Sequence, residues 1–212
     1  MTTRSIVAVS AGLSTPSSTR MLADRLAEAT TTSLGERGES VAVRHVELRD
    51  VAHGITDMML TGFAPTGLRD VLDAVTGADG LILVTPLFTT TYSGLFKSFV
   101  DVLDKDSLVD MPVLLGATGG TPRHSLALEY SMRPLLTYLR ADVATTSVFA
   151  ATDDWARAVD DVNPLPRRID RAGRELATLI AGGEKRRAAA PADPFASPVE
   201  FADLLAGIGG TP

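Results

Sequence analysis

Gly80-LILVTPLFTTTYSGLFKSFVD-Val102 reads as a buried strand, a hydroxyl-rich loop and an amphipathic helix in succession. Leu81 to Val84 are consecutive apolar residues, the pattern of a strand covered on both faces of a parallel sheet. Thr85-Pro86 is expected to end it, because proline cannot donate to a sheet ladder and biases the residue before it towards extended geometry. Leu87 to Ser93 then places two aromatic rings and five hydroxyls in one short loop. From Gly94 onward Leu95, Phe96, Phe99, Val100 and Leu103 recur at helical spacing. Open parallel α/β sheets bind ligands at the carboxyl ends of their strands, so this loop is a candidate wall for a flat, hydrogen-bonding ring system such as a flavin.

Strand and helix patterns alternate on both sides of this stretch. Ile6–Val9 reads as the first strand, followed by a helix from Thr19 to about Leu34 with Leu22, Leu26 and Ala29 on one stripe. Val41–Leu48 alternates apolar and polar residues as an outer strand would. Residues 50–66 read as an irregular excursion before a short helix at Leu68–Val75. The helix after the third strand spans Tyr92 to Leu103. Pro112–Ala117 is the fourth strand, Leu126–Arg140 a helix, Asp142–Ala150 the fifth strand, and Asn163 to about Ala181 the last helix. Pro134 lies inside the Leu126–Arg140 pattern, where it removes a ladder bond, so a kink or a π-bulge is expected around Tyr130–Pro134. The alternation predicts an α/β fold, a flavodoxin-like three-layer sandwich. It suggests a five-stranded parallel sheet of order 2-1-3-4-5 with right-handed crossovers. Residues 1–185 form the expected domain, and 186–212 an Ala/Pro-rich tail, disordered or docking on a partner subunit.

Composition narrows the function. The 212 residues are 45% hydrophobic, enough for one core, and the net charge of −6 comes with no basic run that could track a phosphate backbone, so nucleic-acid binding is not expected. The chain has no cysteine, which removes thiol catalysis, disulfides and cysteine metal sites. No H-E-x-x-H or comparable ligand spacing points to a metal. The N-terminal apolar run is too short for a signal peptide, and no segment approaches the roughly 20 apolar residues of a membrane span, so a soluble cytoplasmic protein is expected.

Two further loops resemble the first in character. Ser10-AGLSTPSS-Thr19 is rich in hydroxyls and leads into a helix, whose N-terminal amides and dipole suit a phosphate. Ser17, Ser18 and Thr19 could equally serve only to cap that helix. Neither a Walker A ending nor G-x-G-x-x-G is present. Ala117-TGGTPR-His124 carries paired glycines that would let main-chain amides approach a ligand, or simply turn the chain. His124 is a candidate proton donor, or a cap or pocket wall; His45 and His53 read as surface or loop residues. Ser10 or Ser93 could serve a hydrolase, but no G-x-S-x-G elbow accompanies them.

Together, Val9-SAGLSTPSSTRMLADRL-Ala27, Ala78-DGLILVTPLFTTTYSGLFKSFVDVL-Asp104 and Leu115-GATGGTPRHSLALEYSMRPLLTY-Leu139 resemble the NAD(P)H-dependent FMN reductases of flavodoxin-like fold. The resemblance is strongest to the flavin reductases of two-component alkanesulfonate and luciferase-like monooxygenase systems. It implies FMN and NADPH or NADH as cofactors, with hydride passing from nicotinamide C4 to flavin N5 and no catalytic side chain required. It implies that Ser10, Ser17, Ser18 and Thr19 form the FMN phosphate site. Leu13 stands in that loop where many relatives place an arginine. Pro86, Leu87, Phe88 and Thr89 then lie beside the ribityl chain and ring, with Phe88 in place of the commoner tyrosine. Thr118, Gly119 and Gly120 contact the isoalloxazine. Arg123 and Arg133 are the candidates for a nicotinamide 2′-phosphate. A homodimer or homotetramer is implied, as is a partner flavin-dependent monooxygenase that receives reduced FMN. An FMN-bound quinone or azo reductase is the alternative among enzymes, and a flavodoxin-type electron carrier the alternative from another class.

Overall fold

The computed structural model describes residues 3–155 and 163–183. Its elements in chain order are β1 (Thr3–Ser10), α1 (Ser18–Gly35), β2 (Ser40–Glu47), α2 (Ala52–Thr61), α3 (Thr66–Thr76), β3 (Gly80–Phe88) and β4 (Thr91–Tyr92). They continue as α4 (Gly94–Asp101), β5 (Pro112–Gly119), α5 (Arg133–Tyr138), β6 (Asp142–Val143), β7 (Val148–Ala151) and α6 (Leu165–Gly182). The expected tail from residue 186 lies outside the described residues.

The architecture is a flavodoxin-like α/β sandwich around a parallel sheet. Side chains alternate across each strand. Val7, Val9, Leu81, Leu83, Val113 and Leu115 therefore pack with Val71 of α3, Phe96 and Phe99 of α4 and Leu136 of α5 on one face. Ile6, Ala8, Ile82, Val84 and Leu114 pack with Leu22 and Leu26 of α1 and Ile169 and Leu176 of α6 on the other. Continuous apolar runs in β1, β3 and β5 follow from having both faces covered.

The expected five strands in order 2-1-3-4-5 are corrected to seven, in the path β2-β1-β3-β5-β6, with β4 antiparallel to β3 and β7 parallel to β5. One extra strand arises because β3 runs on through Pro86 to Phe88 and folds back as a hairpin. Val84 points its carbonyl at Ala11 N, 2.9 Å away on the β1 side. Two residues on, Pro86 faces the same side, beyond the end of β1, where no amide is needed. The other arises because residues 144–147 break the expected fifth strand. Arg133 donates to the carbonyls of Ala144 and Thr145, each at 3.0 Å, while Glu175 accepts from Thr146 N at 2.6 Å and from Thr146 Oγ1 at 2.7 Å. Side chains thus hold the backbone groups that a ladder would otherwise have used.

Residues 50–66, expected to be irregular, instead form a 3-10 turn at Leu48–Val51 and then α2. Ile55 is fully buried and anchors α2; Gly62, at φ +79, ends it in the left-handed conformation, and Pro65 starts α3. The expected helix at 126–140 divides. A π-turn spans Leu128–Met132, with Arg133 N donating to Leu128 O five residues back, directly before Pro134. This is the defect anticipated from the proline, which itself has no amide to offer the ladder. Among the described residues no helix is long and apolar enough to cross a membrane.

Glu175 and Glu129 give the edge a pH dependence. Burial pushes the Glu175 carboxyl up, but the bonds from Thr146 and Arg171 outweigh it and leave the pKa below its ordinary value. The hydrogen bond from Arg133 holds Glu129 below its own. Both are depressed on folding, so their contribution is complete above the ordinary glutamate range and is lost as pH falls through the folded values. Glu175→Ala is expected to cost about 1–2 kcal/mol in urea unfolding at neutral pH and to flatten the acid limb of the stability curve.

Candidate functional site

The carboxyl ends of β1, β3, β5 and β7 bring four segments to one edge of the sheet, around an open cleft of about 510 Å³. The first segment contributes Gly12, Leu13, Ser14, Ser18 and Thr19; the second Pro86, Leu87 and Phe88; the third Thr118, Gly119 and Gly120; the fourth Ala150, Thr152 and Trp155. No charged side chain is among them.

In the first segment Ser17 caps α1, its hydroxyl accepting from Arg20 N at 3.2 Å. The capping hydroxyl needs the space beside Gly12, where a Cβ would come within 2.1 Å of Ser17 Oγ. Thr19, almost fully buried, shares a 2.9 Å hydroxyl–hydroxyl bond with Thr118 and so ties the first loop to the third. Ser10 is 1% exposed and its hydroxyl has no protein partner. Ser10 and Ser17 stand behind the cleft surface, whereas Leu13, 56% exposed, lines it without offering charge.

The arginines around this loop are already engaged. Arg49 donates to Ser14 O at 3.0 Å and to the Thr15 hydroxyl, and pairs with Glu47 at 2.8 Å. Arg20 pairs with Asp24 at 2.7 Å and Glu47 at 3.0 Å. A hydrogen bond to Asp24, opposed by burial, raises the Arg20 pKa above its ordinary value. These two cations brace the loop's frame.

In the second segment Thr85 Oγ1 accepts from Ser93 N at 3.0 Å, and Ser93 Oγ accepts from Phe96 N at 3.2 Å to cap α4. This bracing clamps the hairpin at its base. At its tip Thr89 and Thr90 have φ +50 and +75. A two-residue turn with both φ positive matches the right-handed twist of its strands and normally uses Asn-Gly; two β-branched residues there are strained. Thr89 occupies this tip and does not line the cleft, while Phe88, 47% exposed, does.

The paired glycines both line the cleft but differ in what lies behind them. A Cβ on Gly119 would lie 2.9 Å from Phe149 Cζ, so the missing side chain makes room for the core. Gly120 has nothing within 4 Å and faces open space. His124 is exposed on the 3-10 turn Pro122–His124 and does not line the cleft. Arg133 is consumed by Glu129, Ala144, Thr145 and Ser147, so it is not a free anchor for a nicotinamide phosphate.

Nine expected residues therefore meet at the cleft: Leu13, Ser18, Thr19, Pro86, Leu87, Phe88, Thr118, Gly119 and Gly120. Sequence reasoning missed Gly12, Ser14 and the whole fourth segment. The available signal was the fifth strand itself, since residues leaving its carboxyl end emerge beside those leaving the fourth.

Thr90→Gly tests the hairpin strain. Releasing a left-handed β-branched residue returns roughly 1–2 kcal/mol. The looser unfolded chain costs about 0.4–1 kcal/mol against it. A net rise in stability of about 1 kcal/mol is expected in thermal or urea melts; a loss would show the turn to be unstrained.

The family model for NADPH-dependent FMN reductase matches residues 4–156. An FMN reductase (NADPH) of Pseudomonas aeruginosa is 36% identical over 84% of this chain and 92% of its own length. The NADH-dependent FMN reductase SfnE of Pseudomonas putida is 32% identical over 87% of this chain and 97% of its own. A crystal structure of an oxidoreductase from Corynebacterium diphtheriae aligns with a TM-score of 0.82 and 44% identity, over 86% of this chain and 99% of that one. The edge cleft, the loops that build it and these likenesses agree, and the chain belongs to the NADPH-dependent FMN reductase family.

Proposed function

We propose that this chain is an NAD(P)H:FMN oxidoreductase whose edge cleft takes the flavin, and that it passes reduced FMN to a partner flavin-dependent monooxygenase. The observation that carries the reading is a cleft lined wholly by backbone, hydroxyl, apolar and aromatic groups at the start of α1. Such a lining fits the group. Ser14, Ser18 and Thr19, with the first amides of α1, would hold the phosphate, and the unpartnered Ser10 hydroxyl lies behind them. Pro86, Leu87 and Phe88 would flank the ribityl chain and ring, and Thr118 with the open backbone at Gly120 would meet the ring's polar edge.

When bound, the flavin supplies the hydride acceptor at N5 for the nicotinamide C4. The chain's own work is to orient the two rings and exclude water. No side chain lining the cleft titrates near neutral pH, so no proton transfer is assigned to one. Arg20 and Arg49 spend their charge on Asp24 and Glu47, leaving amides and hydroxyls to meet the phosphate. A site of that kind releases its flavin readily, which supports delivery to a partner. The relatives are named for NADPH in one case and NADH in another, and we assign both as donors. Exposed Leu126, Tyr130 and Tyr138 around the π-turn support self-association as a dimer or tetramer, and dependence on NAD(P)H supports a cytoplasmic setting.

Purified protein is expected to oxidise NAD(P)H only when FMN is added. Absence of flavin binding at micromolar concentrations would sink the reading, and turnover of a quinone by protein purified yellow would replace it with a flavin-bound quinone reductase. Gly120→Val points a side chain into open space and is expected to raise the KM for FMN roughly tenfold with an unchanged melting temperature. Gly119→Val should instead lower that temperature by displacing Phe149.

A further inference from the structure

We infer that Trp155 is a contact wall of the flavin site and that Arg25 is the residue that positions it; the inference rests on the flavin reading of the cleft. Trp155 is the chain's single tryptophan. It closes the 3-10 turn Thr152–Trp155 that follows β7, and its ring lines the cleft together with Ala150 and Thr152 of the same segment. The ring is half-buried, packed against the core between the sheet and the α1/α6 layer. Its exposed part adds an apolar, polarisable surface to a cleft that carries Phe88 in its second segment, and a planar conjugated ligand gains more from such a surface than water does.

Two clamps fix the turn. Asp154 accepts from Ala151 N at 2.8 Å and pairs with Arg168 of α6 at 2.7 Å, fixing the backbone. Arg25 of α1 lays its guanidinium 4.9 Å from the centroid of the Trp155 ring, within cation–π range. Arg20, Arg49, Arg133 and Arg168 all pair with carboxylates. Among the described residues no carboxylate lies within ion-pair distance of Arg25, so its engagement is with the ring. The stacked cation restricts the ring's rotation at the cleft wall. It also links α1, whose first residues Ser18 and Thr19 line the cleft and would meet the phosphate, to the fourth segment.

The single tryptophan makes the test specific. Protein labelled with 5-fluorotryptophan gives one fluorine resonance, observed while FMN is added and binding is followed independently by flavin fluorescence anisotropy. The expected result is that the resonance moves and loses its H2O/D2O shift as FMN saturates. Trp155→Ala is expected to raise the Kd for FMN roughly tenfold, and Trp155→Phe to raise it less. Arg25→Ala should move the resonance of the flavin-free protein and raise the Kd roughly two- to fivefold, with Arg25→Lys recovering part of the loss because it keeps a cation on the ring. If FMN binds while the resonance stays still and the Trp155 variants bind as wild type, Trp155 is no wall and the inference fails alone. If anisotropy shows no FMN binding, the flavin reading fails and takes this inference with it. Should Trp155→Ala not fold, the resonance of the unsubstituted protein still decides.

Discussion

Parallel strands buried on both faces must all leave the sheet at the same edge, and everything functional in this molecule follows from that constraint. The chain cannot turn back directly between parallel neighbours, so it passes from β1, β2, β3 and β5 to the next parallel strand through helices on one face or the other. β1, β3, β5 and β7 therefore deliver four loops to one edge, whatever those loops contain. What this sequence adds is the choice of side chains there. Hydroxyls take much of the bracing that charged pairs could have supplied, through Thr19 to Thr118 and Thr85 to Ser93. Charges are kept one layer back, in the Arg20–Glu47–Arg49 group beneath the first loop.

That separation shapes the chemistry the cleft can support. Neutral donors can reorient to suit a ligand without the desolvation cost of a fixed charge. The backbone around them is less free. The Gly12–Ser17 contact, the Thr85 clamp and the Gly119–Phe149 contact each fix a loop from behind, leaving its front surface open. The strained Thr89–Thr90 turn holds Phe88 at the mouth, in the kind of over-determined conformation that collects at functional sites.

Much of this was legible in the residues. Apolar runs such as Leu81–Val84 and Leu114–Leu115 announce strands that are covered on both faces, and the hydroxyl and glycine loops after them were placed at one edge by that fact alone. Pro134 announced the π-turn, because a missing amide must be accommodated somewhere. The failures have physical causes too. Gly54, Thr56 and Gly62 disguised α2, whose helix depends on the burial of Ile55 more than on local propensity. The break between β6 and β7 depends on Arg133 and Glu175, contributed by the flanking helices α5 and α6, and no pattern within the strand itself records it. Gly119 and Gly120 look alike in sequence; only the position of Phe149 tells them apart. Trp155 follows a strand whose register could not be known beforehand.

The broken strand has a consequence for the molecule among its copies. A sheet edge with a row of free amides and carbonyls is a template on which another chain can add a strand. Here that edge consists of a two-residue piece and a four-residue piece, and between them the Thr146 amide is held by Glu175 and two carbonyls by Arg133. Side chains from α5 and α6 thus hold these residues out of strand geometry, so the edge offers no continuous run on which a foreign strand could pair. This edge is blunted against edge-to-edge aggregation by bonds made a few residues ahead of the cleft's fourth segment.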